Sequence, residues 1–226
     1  GQTCVAPDYV LCPADRVPAF VDEFRARFAE MYPSLRDNDD YTAIINERQY
    51  DRLQGYLEDA RAKGAELVEI NPANEDMKEG TRKIPLTLVL KTTPDMKVMQ
   101  DEIFGPILPV ISYSGLDEAI HYINERPRPL ALYFFGYDKT QQQHVVDNTH
   151  SGGMCLNDAL MHVAQDDLPF GGIGDSGMGH YHGREGFLTF SHHRAIFTKQ
   201  KFNSGKYVYA PHGTAAHRMV YKFFIR

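Results

Sequence analysis

Cysteine is scarce in this sequence: among 226 residues it occurs only as Cys4, Cys12 and Cys155. An odd number of thiols in a chain too large to need disulfide staples excludes the disulfide-framework class and points to free cysteines in a reducing, cytoplasmic setting. Long apolar runs are missing as well. Apolar stretches such as residues 84–90 and 130–135 are far short of the ~20 residues that a membrane-spanning helix needs, so no membrane partner is expected. Nor is there a basic excess. The formal net charge is -6, and the Lys and Arg residues are scattered, which argues against nucleic acid as a partner. The amino end has neither a charged leader, nor an apolar signal core, nor an initiating Met, and the expectation is that Gly1 lies inside a longer chain. No internal repeat is present.

What is present reads as layered α/β structure. Val17, Phe20, Val21, Phe24, Phe28 and Met31 recur at helical spacing with Asp22, Glu23, Arg25 and Arg27 opposite them, predicting an amphipathic helix over 15–31 that Pro33 helps to end. A second helix is predicted over 46–63 through Tyr50, Leu53 and Leu57, with Gly64 at the left-handed cap position. Apolar or β-branched runs at 65–70, 86–90, 107–113, 130–136 and 153–156 predict strands, several with the weak polar alternation of strands covered on both faces. Helical stretches at 117–125 and 140–149 have crossover length. After Gly186 the character shifts. Residues 195–198 form one more candidate strand, and 202–226 is aromatic, basic and poor in helical period. The acidic run Asp37, Asp39 and Asp40 reads as a solvated loop.

Three stretches carry chemistry. Cys4 lies in Gly1-Gln2-Thr3-Cys4-Val5-Ala6-Pro7, where small residues permit close approach of a ligand to backbone. Downstream stand Glu102-Ile103-Phe104-Gly105-Pro106 and the glycine-rich Pro169-Phe170-Gly171-Gly172-Ile173-Gly174-Asp175-Ser176-Gly177-Met178-Gly179. Taken in order, these motifs resemble the aldehyde dehydrogenase superfamily. The resemblance runs over residues 1–199 and includes Phe190-Ser191-His192-His193-Arg194. Tyr181-His182-Gly183-Arg184-Glu185-Gly186-Phe187 and the aromatic, basic tail are similar to the branch that holds coniferyl aldehyde, fatty aldehyde and dimeric class 3 enzymes, with the coniferyl aldehyde enzymes favoured.

The resemblance implies a three-layer α/β fold, with a mostly parallel sheet flanked by helices. It further implies a catalytic domain over 1–190 and an oligomerisation strand and tail over 191–226, with the cofactor-binding domain absent from this chain. The implied reaction is NAD- or NADP-dependent oxidation of a small-molecule aldehyde to a carboxylic acid. Cys4 would attack the carbonyl, the thiohemiacetal would pass hydride to the nicotinamide, and water would release the thioester. The Cys4 backbone N–H would serve the oxyanion. Glu102 would hold ribose hydroxyls, and Phe104 would pack near the nicotinamide ring. The upstream base and oxyanion-hole amide would precede Gly1, so this chain alone is expected to bind NAD feebly and to turn over negligibly. A homodimer is expected, with residues 195–198 extending a sheet of the partner.

Residues 157–168 are expected to wall the substrate entrance, with Met161 and His162 as pocket candidates. The glycine-rich stretch lacks the Gly-Lys-Ser/Thr ending of a phosphate loop, so turn chemistry is the better account. His180, His182, His192 and His193 have no Cys or carboxylate at a familiar ligand spacing, and no metal is expected. Two competing classes remain open. The order Cys4, then His144 or His150, then Asn157 copies papain-like hydrolases, although Val5-Ala6-Pro7 departs from their local signature. A non-catalytic interaction module acting through the tail is the other.

Overall fold

The computed structural model describes residues 1–77, 81–207 and 209–224. The chain divides into two compact units, Gly1–Thr189 and Phe190–Arg226.

In the first unit, β1 (Val10–Pro13), β2 (Glu66–Ile70), β3 (Leu86–Leu90) and β4 (Ile107–Tyr113) form a sheet in the order β1-β4-β3-β2. β4 runs parallel to both β1 and β3, whereas β2 is antiparallel to β3. Helix α1 (Val17–Met31) and helix α2 (Glu47–Ala62) cover this sheet from opposite sides. Successive strand residues face opposite ways. Leu88, Leu108 and Val110 accordingly pack with Val21 and Phe28 of α1, while Val89 and Ile107 pack with Leu53, Leu57 and Ala60 of α2. Two helices on two faces make the three layers.

Local chemistry fixes the helix ends. The Asn46 side chain accepts from the Gln49 N–H at 3.0 Å, a cap whose loss typically costs ~1 kcal/mol. Gly64 beyond the other end has φ +90°, a conformation that favours glycine.

A smaller sheet follows. β5 (Ala131–Phe134) pairs in parallel with β6 (Gly153–Leu156), and helices α3 (Leu116–Asn124) and α4 (Lys139–Asn148) pack on one side of it. Leu132, Phe134 and Met154 meet Ile120 of α3 and Val145 of α4 there. Tyr133 and Cys155, paired in register, lie on the other face. α5 (Gly183–Thr189) closes the unit.

The five predicted strands are present, with the fold mostly parallel, but the strands divide between two sheets. β1 escapes a pattern reading because four residues with a Cys and a Pro show no useful period. In the second unit, 195–198 carries no strand ladder. A strand exists only through pairing, and among the described residues the segment has no ladder partner. The tail is also more helical than its composition suggests. α6 (Ala215–Phe224) forms there, with the Thr214 hydroxyl accepting from the His217 N–H at 3.2 Å. Val220 and the aromatics Tyr221, Phe223 and Phe224 have modest helix propensity, which hides the element. Val208, Ile225 and Arg226 of that tail lie outside the described residues.

Candidate active site

The segment that carries Cys4 is held at several points. The Gln2 amide donates to the Ala43 carbonyl at 3.0 Å and accepts from the Ile45 N–H at 3.1 Å, so one side chain pairs with backbone as a strand would. The Ala6 N–H donates to the Thr3 carbonyl at 3.1 Å, closing a turn with Cys4 and Val5 at its centre. Val5 is buried beneath, while Cys4 is exposed at the surface. From β5, the Tyr133 hydroxyl donates to the Val5 carbonyl at 2.6 Å.

Against this turn lies the loop of Glu102, Ile103, Phe104 and Gly105. The Asp8 carboxylate accepts from the Ile103 N–H at 2.9 Å and is also reached by the Phe104 N–H. Burial nevertheless raises the Asp8 carboxyl above its ordinary value, with those N–H groups and Arg52 opposing. From α2, the Arg52 guanidinium donates to the Glu102 carbonyl at 3.1 Å and to the Ile103 carbonyl, and it also donates to the Tyr56 hydroxyl at 2.9 Å. Gly105 sits on Leu53, where an added Cβ would lie 2.5 Å from a methyl. Gly1 abuts Gly105 so closely that a Cβ on it would stand 2.1 Å from the Gly105 carbonyl oxygen. The glycines are what let the two motifs touch.

The consequence is an outward-facing pair. Phe104 has φ +52°, a left-handed conformation that a bulky side chain keeps only where its surroundings over-determine it. It is 40% exposed. Glu102 is exposed too. Its carboxyl is raised, chiefly by partial burial and then by Asp8, with Arg52 opposing. Among the described residues the Glu102 carboxylate makes no hydrogen bond or ion pair, leaving its oxygens open to hydroxyl donors. An aromatic face beside an open carboxylate fits the nicotinamide riboside half of a dinucleotide.

The two pocket candidates separate. Met161 is 48% exposed, whereas His162 is only 7% exposed, so the two entrance candidates are placed differently. His162 is packed between Tyr133 and Phe170, with ring centroids 5.9 Å and 6.0 Å away. Its Nδ1 lies 3.2 Å from the Cys155 sulfur, and its own N–H points at the same sulfur at 3.3 Å. Nε2 is buried and has no hydrogen-bond partner among the described residues, and burial lowers the imidazole pKa. His162 therefore holds the 157–168 loop from inside, whereas Met161 stands at its surface.

The hydrolase order finds no matching geometry. His144 Nε2 lies 2.6 Å from Asp117 Oδ1, and the Asn157 side-chain Oδ1 accepts from the Gly136 N–H at 2.8 Å. His180 Nε2 lies 2.9 Å from Glu185 Oε2. Among the described residues no group of three His, Cys, Asp or Glu is placed to hold a metal ion. Gln2, Asp8, Arg52 and Tyr133 are the residues that sequence reasoning passed over. Gln2 stood inside a quoted motif. The other three act through contacts across 95, 50 and 128 positions of chain, for which local pattern offers no signal.

Comparison with known proteins gives a consistent picture. The sequence profile described as "Aldehyde dehydrogenase family" matches residues 1–196. A protein of Pseudomonas aeruginosa described as "Probable coniferyl aldehyde dehydrogenase" is 59% identical over 226 residues, which is 100% of this chain and 46% of that protein. "Aldehyde dehydrogenase family 3 member A2" of Mus musculus is 44% identical over 200 residues, covering 88% of this chain and 40% of its own length. Among solved structures, "Substrate bound state of Staphylococcus Aureus AldH" superposes with a TM-score of 0.81 at 39% identity, over 99% of this chain and 47% of that one. The chain thus spans about half the length of the curated relatives that it matches.

Proposed function

The chain belongs to the aldehyde dehydrogenase family, and from that membership we propose that it supplies the nucleophile and part of the cofactor seat for oxidising an aldehyde to a carboxylic acid. Likeness to the coniferyl aldehyde relative favours an aromatic, conjugated aldehyde as substrate. The observation that carries the reading is the exposed Cys4 on a turn fixed against the loop that presents Glu102 and Phe104.

Cys4 adds through sulfur to the aldehyde carbon, and the carbonyl π electrons move to oxygen. The Cys4 backbone N–H serves that oxyanion. Glu102 and Phe104 would hold the nicotinamide end of NAD or NADP, which would supply the acceptor for the hydride lost from the former aldehyde carbon. The acyl group is then a thioester on Cys4. Water cleaves its C–S bond, giving the acid and returning the thiol. Sulfur suits both halves, since it adds readily to a carbonyl and departs more readily from an acyl carbon than an alkoxide does. The three unpaired thiols accord with a reducing, cytoplasmic setting.

The test is NADH formation from coniferyl, benzyl and long-chain aldehydes. It should be run on the chain alone, where little turnover is expected, and on a hybrid in which it replaces the matching part of the Pseudomonas aeruginosa relative. Turnover in the hybrid that Cys4→Ala abolishes supports the assignment. A Cys4→Ala hybrid that still forms NADH overturns it.

A further inference from the structure

The face of the β5–β6 sheet turned away from α3 and α4 brings together groups that the proposed chemistry does not use. Tyr133 and Cys155 are opposite each other in register there. The Tyr133 hydroxyl donates to the Val5 carbonyl at 2.6 Å, inside the turn that presents Cys4. The backbone N–H of Leu160, in the 157–168 loop, faces the same hydroxyl oxygen. Leu160 has φ +66°, so the backbone is bent into the left-handed region at this point. The Tyr133 ring meets the edge of His162, which is itself fastened to Cys155. One side chain thus touches both the Cys4 turn and the loop proposed to wall the substrate entrance.

We propose that Tyr133 is a positioning residue that couples the placement of the Cys4 turn to the packing of the 157–168 loop. The proposal rests on Cys4 being the nucleophile. Its physical content is that one side chain can brace the Cys4 turn through its hydroxyl and meet the 157–168 loop through the His162 ring only while both are in place. Burial raises the Tyr133 pKa, so the hydroxyl keeps its proton, and hence its donor, at neutral pH. The turn that it braces contains the Cys4 N–H assigned to the oxyanion. Displacing the turn should therefore slow acyl transfer to sulfur more than simple alkylation of sulfur.

Tyr133→Phe keeps the ring against His162 and removes the hydroxyl. Tyr41→Phe is the control, because the Tyr41 hydroxyl also donates to a buried carbonyl, that of Ile84 at 2.6 Å, in the α1 layer of the fold. Acylation of Cys4 by p-nitrophenyl acetate should fall about fivefold in Tyr133→Phe, the scale of one net hydrogen bond. Alkylation by iodoacetamide should change less, and amide exchange in the 157–168 peptide should speed up. Tyr41→Phe should leave all three as in the unaltered chain. An unchanged acylation rate and unchanged loop exchange in Tyr133→Phe overturn the coupling, as does an equal response in Tyr41→Phe. A measurement on the unaltered chain needs no variant: carbamidomethylating Cys4 should alter exchange in 157–168, since coupling is reciprocal, and no change there also overturns the proposal. Absence of acylation at Cys4 in the unaltered chain would instead sink the nucleophile reading, and the coupling with it.

Discussion

Arg52 and Asp8 grip the same short loop from complementary sides, the guanidinium on the carbonyls of Glu102 and Ile103, the carboxylate on the N–H of Ile103. One residue comes from a helix and the other from the segment just after Cys4. Between them, backbone that would otherwise be free is fixed in both its donor and acceptor capacities.

Removing the guanidinium should therefore loosen the loop that presents Glu102 and Phe104. Arg52→Met is expected to cost about 1.5–3 kcal/mol, the range for hydrogen bonds involving a charged group, and to speed amide exchange at 102–105. Arg52→Lys should restore only part of this, because an ammonium cannot reproduce the planar fork. Chemical denaturation together with hydrogen exchange checks both. An Arg52→Met protein of unchanged stability and loop protection would show that the clamp is idle.

The 157–168 loop should depend on pH through His162. Burial lowers the folded-state pKa of this imidazole from its ordinary 6.5, so the folded chain holds it neutral. The opened form takes up a proton first as pH falls. The stability that His162 confers is thus complete above about pH 6.5 and is lost progressively below it. Hydrogen exchange in the loop, followed from pH 7.5 to 5, should accelerate below that point in the unaltered chain and lose this dependence in His162→Phe. A loop equally protected at both ends of the range would contradict the assignment.

Much of this architecture is legible in the sequence, for identifiable reasons. The α1 stripe of Val21 and Phe28, and the Asn46 and Gly64 boundaries of α2, are local signals, and they appear as such in the fold. The Cys4 and Glu102–Phe104 motifs are likewise contiguous stretches, and the structure brings those stretches together. Arg52 is different. It sits on a polar stretch of a helix, where an arginine ordinarily only faces solvent, and its role appears when α2 is laid against the 102–105 loop. The burial of His162 is hidden for a related reason: next to Met161 in sequence, it turns inward because Cys155, Tyr133 and Phe170 surround it.

The three thiols should react in a fixed order. Cys4 is exposed and Cys12 and Cys155 are buried, and burial also pushes the Cys12 thiol pKa up. Limiting iodoacetamide at neutral pH, followed by peptide mass mapping, is expected to label Cys4 first, with the other two lagging by at least about tenfold. Equal labelling at all three positions would favour a passive role for Cys4.

Self-association through the tail is open to a direct check. If 195–198 pairs with a sheet of a second copy, deleting residues 195–226 should convert a dimer to a monomer in light scattering. An unchanged mass would exclude this segment as the contact.

The strict alternation along β5 and β6 has a further consequence. Leu132 and Met154 serve the helix layer, and Tyr133 and Cys155 serve the opposite face. Gain or loss of one residue within either strand would exchange these duties wholesale, sending the tyrosine hydroxyl into an oily interior and aliphatic bulk toward the thiol. Variation in this half of the molecule can therefore proceed by replacing side chains on β5 and β6, but not by changing their length, and tolerance for indels should be confined to the connections around them.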